Sequence, residues 1–180
     1  MRAAGGLTVD RRPAFIAVVG EGDPRGPEAA RLLAWAEEVG RALAAAGAAV
    51  ITGGLGGVMR AASQGAASAG GLTLGILPGT DPDEANEYVR VPVATGLGVA
   101  RNLVVVTASD AVVAIGGRHG TLTEIAFALR MGRHVVGLGS WRLEPAQAVP
   151  GPRLHRARDP HEAAGVALRL AGDRRAPASV

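Results

Sequence analysis

The chain contains no cysteine and no lysine. Without thiols it has no disulfide, no thiolate nucleophile and no thiolate metal site, which suits a reducing compartment. All 19 basic residues are arginine, which excludes a lysine Schiff base, internal pyridoxal phosphate catalysis and the lysine of a P-loop. Aromatic residues number five in 180, too few for a platform on which the bases of single-stranded nucleic acid stack. No apolar run is long enough to span a bilayer, Asp110 breaking the best candidate, and residues 1–13 hold no signal-peptide core. The expectation is a cytoplasmic protein with no membrane segment.

What charge there is lies unevenly. Residues 15–137 carry nine arginines against eleven acids, whereas the two flanks carry ten against five. The net charge of +3 therefore belongs to the ends, and nucleic acid is disfavoured as a partner. The four histidines, His119, His134, His155 and His161, show no metal-binding spacing, so no metal site is expected. At this length, with 48% apolar residues, one domain is expected over 13–172, between a disordered arm at 1–12 and a disordered tail at 173–180.

Short β-branched runs alternate with helical patterns. Phe15 to Val19 reads as a buried strand, and Leu32, Leu33, Ala36, Val39 and Leu43 give a helix over 27–46 that Gly47 stops. A strand follows near 48–52, then a glycine turn at 53–57, a helix of small residues to Ala69 and a strand at 72–77. The acidic loop 78–87 precedes a short strand at 88–92. Helices at 98–109 and 121–131 flank a strand at 110–115, and the last convincing strand is 134–138. Residues 142–158 read as a surface crossing, ahead of a final helix over 159–170. The pattern predicts an α/β fold, a single Rossmann-like domain whose open, mostly parallel sheet carries helices on both faces. Such sheets bind ligands beyond the carboxyl ends of their strands.

Glycine loops fall at those ends. Gly53, Gly54, Gly56 and Gly57 lie between a strand and a helix, where backbone amides and the helix dipole favour an anion, although a tight turn with close packing is an equal reading. The spacing is neither the dinucleotide fingerprint nor a Walker loop. Gly20 and Gly22 flank Glu21 at the end of the first strand. Gly116-Gly117-Arg118-His119-Gly120-Thr121 again follows a strand and opens a helix. Thr121 and Glu124 have the spacing of a capping box, so Glu124 is either a cap or a functional carboxylate. Arg101 and Asn102 interrupt an apolar stretch, either in a helix-end contact or as ligand-binding groups.

Taken in order, Gly53-Gly54-x-x-Gly57-Val58-Met59, Arg101, Ser109-Asp110 and Gly116-Gly117-x-x-Gly120-Thr121-x-x-Glu124 resemble the Rossmann-like superfamily of the LOG phosphoribohydrolases, whose members are often mislabelled lysine decarboxylases. The chain is most similar to the branch containing the molybdenum cofactor carrier proteins, related also to DprA/Smf, over residues 14–138. The resemblance implies phosphate held at the glycine loops and Met59. It further implies, for the LOG enzymes, an arginine and a glutamate acting on the N-glycosidic bond of a nucleoside 5′-monophosphate, here Arg101 and Glu124. Gly116 stands where that pattern has proline, Arg118 where it has glycine and Asn102 where it has lysine. Those changes favour binding over hydrolysis.

The function expected is thus the binding of a phosphorylated heterocycle, a molybdopterin-type cofactor or a nucleotide, with no cofactor required for it. Arg118, His119, Gly120 and Thr121 join the glycines, Arg101, Asn102 and Glu124 as ligand-binding residues. The resemblance also implies a homo-oligomer, consistent with the wide apolar arcs of the 98–109 and 121–131 helices.

Overall fold

The computed structural model describes residues 12–144, 147 and 150–175. Strands β1 (Phe15–Gly20), β2 (Ala49–Thr52), β3 (Thr73–Leu77), β4 (Val91–Ala94), β5 (Ala111–Ile115), β6 (Val135–Leu138) and β7 (Leu154–Ala157) form one sheet. Its order is β4-β3-β2-β1-β5-β6-β7, and every pairing is parallel. The five helices are α1 (Ala29–Ala45), α2 (Val58–Ser68), α3 (Arg101–Thr107), α4 (His119–Arg130) and α5 (Pro160–Arg175).

A strand buried on both sides alternates its side chains between two cores. Ile16 and Val18 of β1 face α1, α2 and α5, while Ala17 and Val19 face α3 and α4. The parallel α/β architecture expected from the sequence is therefore the one observed. The chain winds outward from β1 through β4, then returns to build β5 to β7 on the other edge of β1. That reversal parts the loops that follow β1 and β5 and opens a crevice between them.

Asp110 anchors this central pair. Its carboxylate accepts the amide of Phe15 at 2.9 Å and both ends of the Arg12 guanidinium, at 2.7 and 2.9 Å. Arg12 is thus fixed, whereas residues 1–11 of the expected arm lie outside the described residues. Further boundaries differ from expectation, the fourth strand lying at Val91–Ala94 where 88–92 was expected. Leu154–Ala157 forms an edge strand where a surface crossing was predicted, because an outer strand needs only one neighbour and tolerates polar residues, Arg156 being exposed and His155 half-buried. Helix α5 continues to Arg175, beyond the predicted end at 170 and into the expected tail, of which 176–180 lie outside the described residues. Among the described residues no helix is long and apolar enough to cross a membrane.

Helices α1 and α2 meet backbone to backbone. A Cβ at Gly40 would overlap the Ala62 carbonyl, and one at Gly65 would overlap that of Glu37. Gly65→Ala should therefore lower stability by about 1–3 kcal/mol, overpacking outweighing the better helix propensity of alanine. Denaturant unfolding checks this, and a gain in stability would overturn the packing argument.

Candidate functional site

The crevice is a cleft of about 500 Å³ at the carboxyl ends of the strands. Gly20, Gly22, Met59, Arg101, Asn102, Arg118, Gly120, Thr121 and Glu124 all line it. The remaining predicted glycines lie behind the wall. Gly53 backs the guanidinium of Arg101, where a Cβ would overlap it. Gly54 donates its amide to the Thr52 hydroxyl at 3.1 Å, and its carbonyl accepts the amides of Asn86, backbone at 2.8 Å and side chain at 3.1 Å. Gly56 and Gly57 pack against the first loop. Gly57 has φ +60°, and a Cβ there would also strike the Glu21 carbonyl. That carbonyl accepts the first amide of α2, Val58 N–H, at 2.9 Å. The amides of Gly54 and Val58 are therefore spent inside the protein, whereas those of Gly56, Gly57, Met59 and Arg60 at the start of α2 have no acceptor among the described residues.

The loop after β5 leaves amides open as well. Gly116 and Gly117 turn the chain with φ of +55° and +103°, and α4 begins at His119 with Arg118 as its N-cap residue. The capping-box reading of Thr121 and Glu124 is overturned, because both sit inside the helix and no side chain caps it. Consequently the amides of His119, Gly120 and Thr121 have no acceptor among the described residues. The loop is clamped from behind: Ser140 Oγ donates to the Gly116 carbonyl at 2.6 Å, and Trp141 Nε1 to that of Arg118 at 3.2 Å. His119 lies beside the Trp141 ring, outside the cleft lining.

Arg101 opens α3 and is only 8% exposed. Its side-chain hydrogen bond is a weak one, Nη2 to the Met59 sulfur at 3.9 Å, and among the described residues no carboxylate pairs with it. Burial lowers its pKa from the usual guanidinium value, against the attraction of Glu124. Glu124, 7% exposed, has its carboxyl raised to about 7 by burial, with the charge of Arg101 pulling the other way. The structure thus brings together two residues 23 positions apart, each short of partners.

Glu21, Asp23 and Arg25 also line the cleft and were not anticipated from the sequence. They lie in a short polar loop that offers no periodicity, and their place after β1 was the available signal. Glu21 Oε2 meets Arg118 Nε at 3.1 Å, so Arg118 joins the loop after β5 to the loop after β1. Elsewhere, His134 Nδ1 and His155 Nε2 approach to 3.0 Å between β6 and β7, a pairing with no sequence signature.

A doubly wound parallel sheet with a polar cleft at its reversal point defines the class. The chain belongs to the SLOG cluster4 family, whose model matches residues 13–164. It is similar to the molybdenum cofactor binding protein of Rippkaea orientalis, with 31% identity and a TM-score of 0.75 over 89% of this chain and 99% of that one. It is likewise similar to a Moco carrier protein from Chlamydomonas reinhardtii, with 35% identity and a TM-score of 0.76 over 90% and 99%. An uncharacterized protein of Archaeoglobus fulgidus is 42% identical over 119 residues, 66% of this chain and 75% of its own. The superfamily resemblance drawn from the motifs therefore holds.

The raised carboxyl makes stability depend on pH. Glu124 titrates near 4.5 when unfolded and near 7 when folded, so the folded protein holds this proton more tightly. Its contribution is fully present below pH 4.5 and is lost as the pH rises through 7. Glu124→Gln should match the wild type at acid pH and exceed it at pH 8 by about 2–3 kcal/mol. Denaturant titrations at the two pH values check this, and parallel pH profiles would contradict it.

Proposed function

We propose that the protein binds a phosphorylated heterocycle, a molybdenum cofactor of the molybdopterin type or a nucleotide, and holds it as cargo. The observation that carries this reading is the uncapped N-terminus of α4 facing the same cleft as the nearly unpartnered Arg101. Three free amides at a helix N-terminus with a buried guanidinium beside them suit a phosphate. The Thr121 hydroxyl adds a donor at the same turn, and the cleft volume lies in the range of small-ligand sites. The names of the Rippkaea and Chlamydomonas proteins support a molybdenum cofactor as the cargo.

In this reading Arg101 neutralises the phosphate, the amides of 119–121 orient it, and Met59 and the Gly20 to Gly22 loop bound the space left for the ring. Asn102 and Arg118 supply donors at the rim. Calorimetry with inorganic phosphate and nucleoside monophosphates should detect binding, and Arg101→Ala should weaken it about tenfold to a hundredfold. Unchanged affinity in that variant would remove the phosphate site from the cleft. Native mass spectrometry of freshly purified protein would identify a retained cargo.

One observation favours a second reading, cleavage of the N-glycosidic bond of a nucleoside 5′-monophosphate. A carboxyl titrating near 7 beside an arginine is poised for proton transfer at neutral pH. The assay is release of free base and ribose 5-phosphate. Turnover lost separately in Glu124→Gln and Arg101→Ala would make hydrolysis the primary function.

The ligand is not the whole of the proposed assembly. Leu97 and Val99, before α3, are 52% and 85% exposed, and Val91 and Val93 of edge strand β4 are 39% exposed each. This apolar edge fits a second copy of the chain, so light scattering at micromolar concentration should give at least a dimer mass. A strictly monomeric mass would overturn the assembly.

A further inference from the structure

Of the cleft side chains that the phosphate reading leaves unused, Asp23 and Arg25 pair with each other and Glu124 is buried beside Arg101, which leaves Glu21. Its backbone is pinned, because the carbonyl holds the first amide of α2 through the space that Gly57 leaves open. Its carboxylate is 17% exposed, and its one contact is the ion pair with Arg118 Nε, which is longer and less directional than a charge-assisted hydrogen bond. Among the described residues no other group donates to it. A carboxylate accepts at about four lone-pair sites, so this one enters the cleft with most of its acceptor capacity open. Arg118 is 69% exposed and is free to swing into solvent.

Position supplies the second half of the argument. The Met59 sulfur touches Arg101, while its methyl group would lie 3.4 Å from a Cβ at Gly22, next to Glu21. One methionine side chain therefore spans the floor between the buried cation and the loop that carries the carboxylate. An anion on Arg101 would place the rest of its ligand over Met59, on the side of the cleft that carries Glu21.

We infer that Glu21 is the specificity-determining residue of the cleft, accepting the paired N–H donors of a 2-amino-4-oxo heterocycle, the edge shared by guanine and the pterins. This inference rests on the phosphate-heterocycle reading above. The chemistry is directional. The 2-amino group and the adjacent ring N–H present two parallel donors to two carboxylate oxygens. Hypoxanthine keeps the ring N–H and lacks the amino group. Adenine sets a ring-nitrogen lone pair against the carboxylate. A site built to receive an N–H group discriminates strongly against the analogue without it, because its own acceptor is left unpaired.

The test is calorimetric titration of the full chain with GMP, IMP and AMP, alongside inorganic phosphate. The expected order is GMP, then IMP, then AMP, with GMP at least about tenfold tighter than IMP. In Glu21→Gln, which replaces one acceptor by a donor, that ratio should collapse towards one while inorganic phosphate still binds. Pterin-6-carboxylate against lumazine-6-carboxylate, which differ at the same amino group, repeats the comparison and separates a pterin source from a guanine source. Equal affinity for GMP and IMP in the wild type overturns the inference even if Glu21→Gln fails to fold. A preference that survives Glu21→Gln overturns it as well. If phosphate and all three nucleotides fail to bind, the phosphate reading falls and takes this one with it; if they bind without discrimination, only the role of Glu21 is lost.

Discussion

The chemistry of the cleft depends on one burial, that of the Arg101 guanidinium. Space for it exists because Gly53 has no side chain, and its remaining neighbour is a weak acceptor, the Met59 sulfur. A buried cation without a hydrogen-bonded anion is costly. Glu124 offsets part of that cost, yet burial holds its proton on up to neutral pH. Neither group fully neutralises the other, which is the basis of the proposed anion site. A firm salt bridge in the same place would stabilise the empty protein and weaken its hold on any ligand.

The fold brings this pair to the correct end of the molecule. Because all strands run parallel, the loops after β1, β2 and β5 emerge on one side, and the reversal of winding beside β1 keeps them from closing over one another. Helix α4 then points its positive end into the gap. Both glycine loops leave amides open at a helix start, and the one after β2 also admits Arg101 and the Glu21 carbonyl.

Much of this was legible in the sequence, for physical reasons that differ by element. Buried parallel strands are continuous β-branched runs, so Phe15 to Val19 and Ala111 to Ile115 announced themselves. Leu154 to Ala157 did not, since an edge strand containing histidine and arginine has no apolar run to display. The boundary at Arg175 was missed because polar residues continue a helix as readily as they end one. Within the cleft, Arg101 and Glu124 were marked by their family spacing, but Thr121 and Glu124 also matched a capping box. Only the observed start of α4, two residues before Thr121, decides between those readings. Glu21, Asp23 and Arg25 carried no signal beyond their position, because a polar residue in a loop looks the same whether it faces solvent or a ligand.

The strand order also governs how the chain is made. Strands β1 to β4 are neighbours in sequence order, so that half of the sheet is complete while the rest is still being synthesised. The other edge of β1 must wait for β5: Ile16 pairs with Ala111, 95 residues later. At roughly 5–20 residues per second, ribosomal synthesis leaves that apolar edge uncovered for about 5–20 s. During this interval the nascent chain offers Ile16 to Val19 as an open strand edge, a template for wrong pairing. The central position of β1, which gives the finished protein its crevice, thus leaves the half-made protein with an unpaired strand edge until residue 115 has been added.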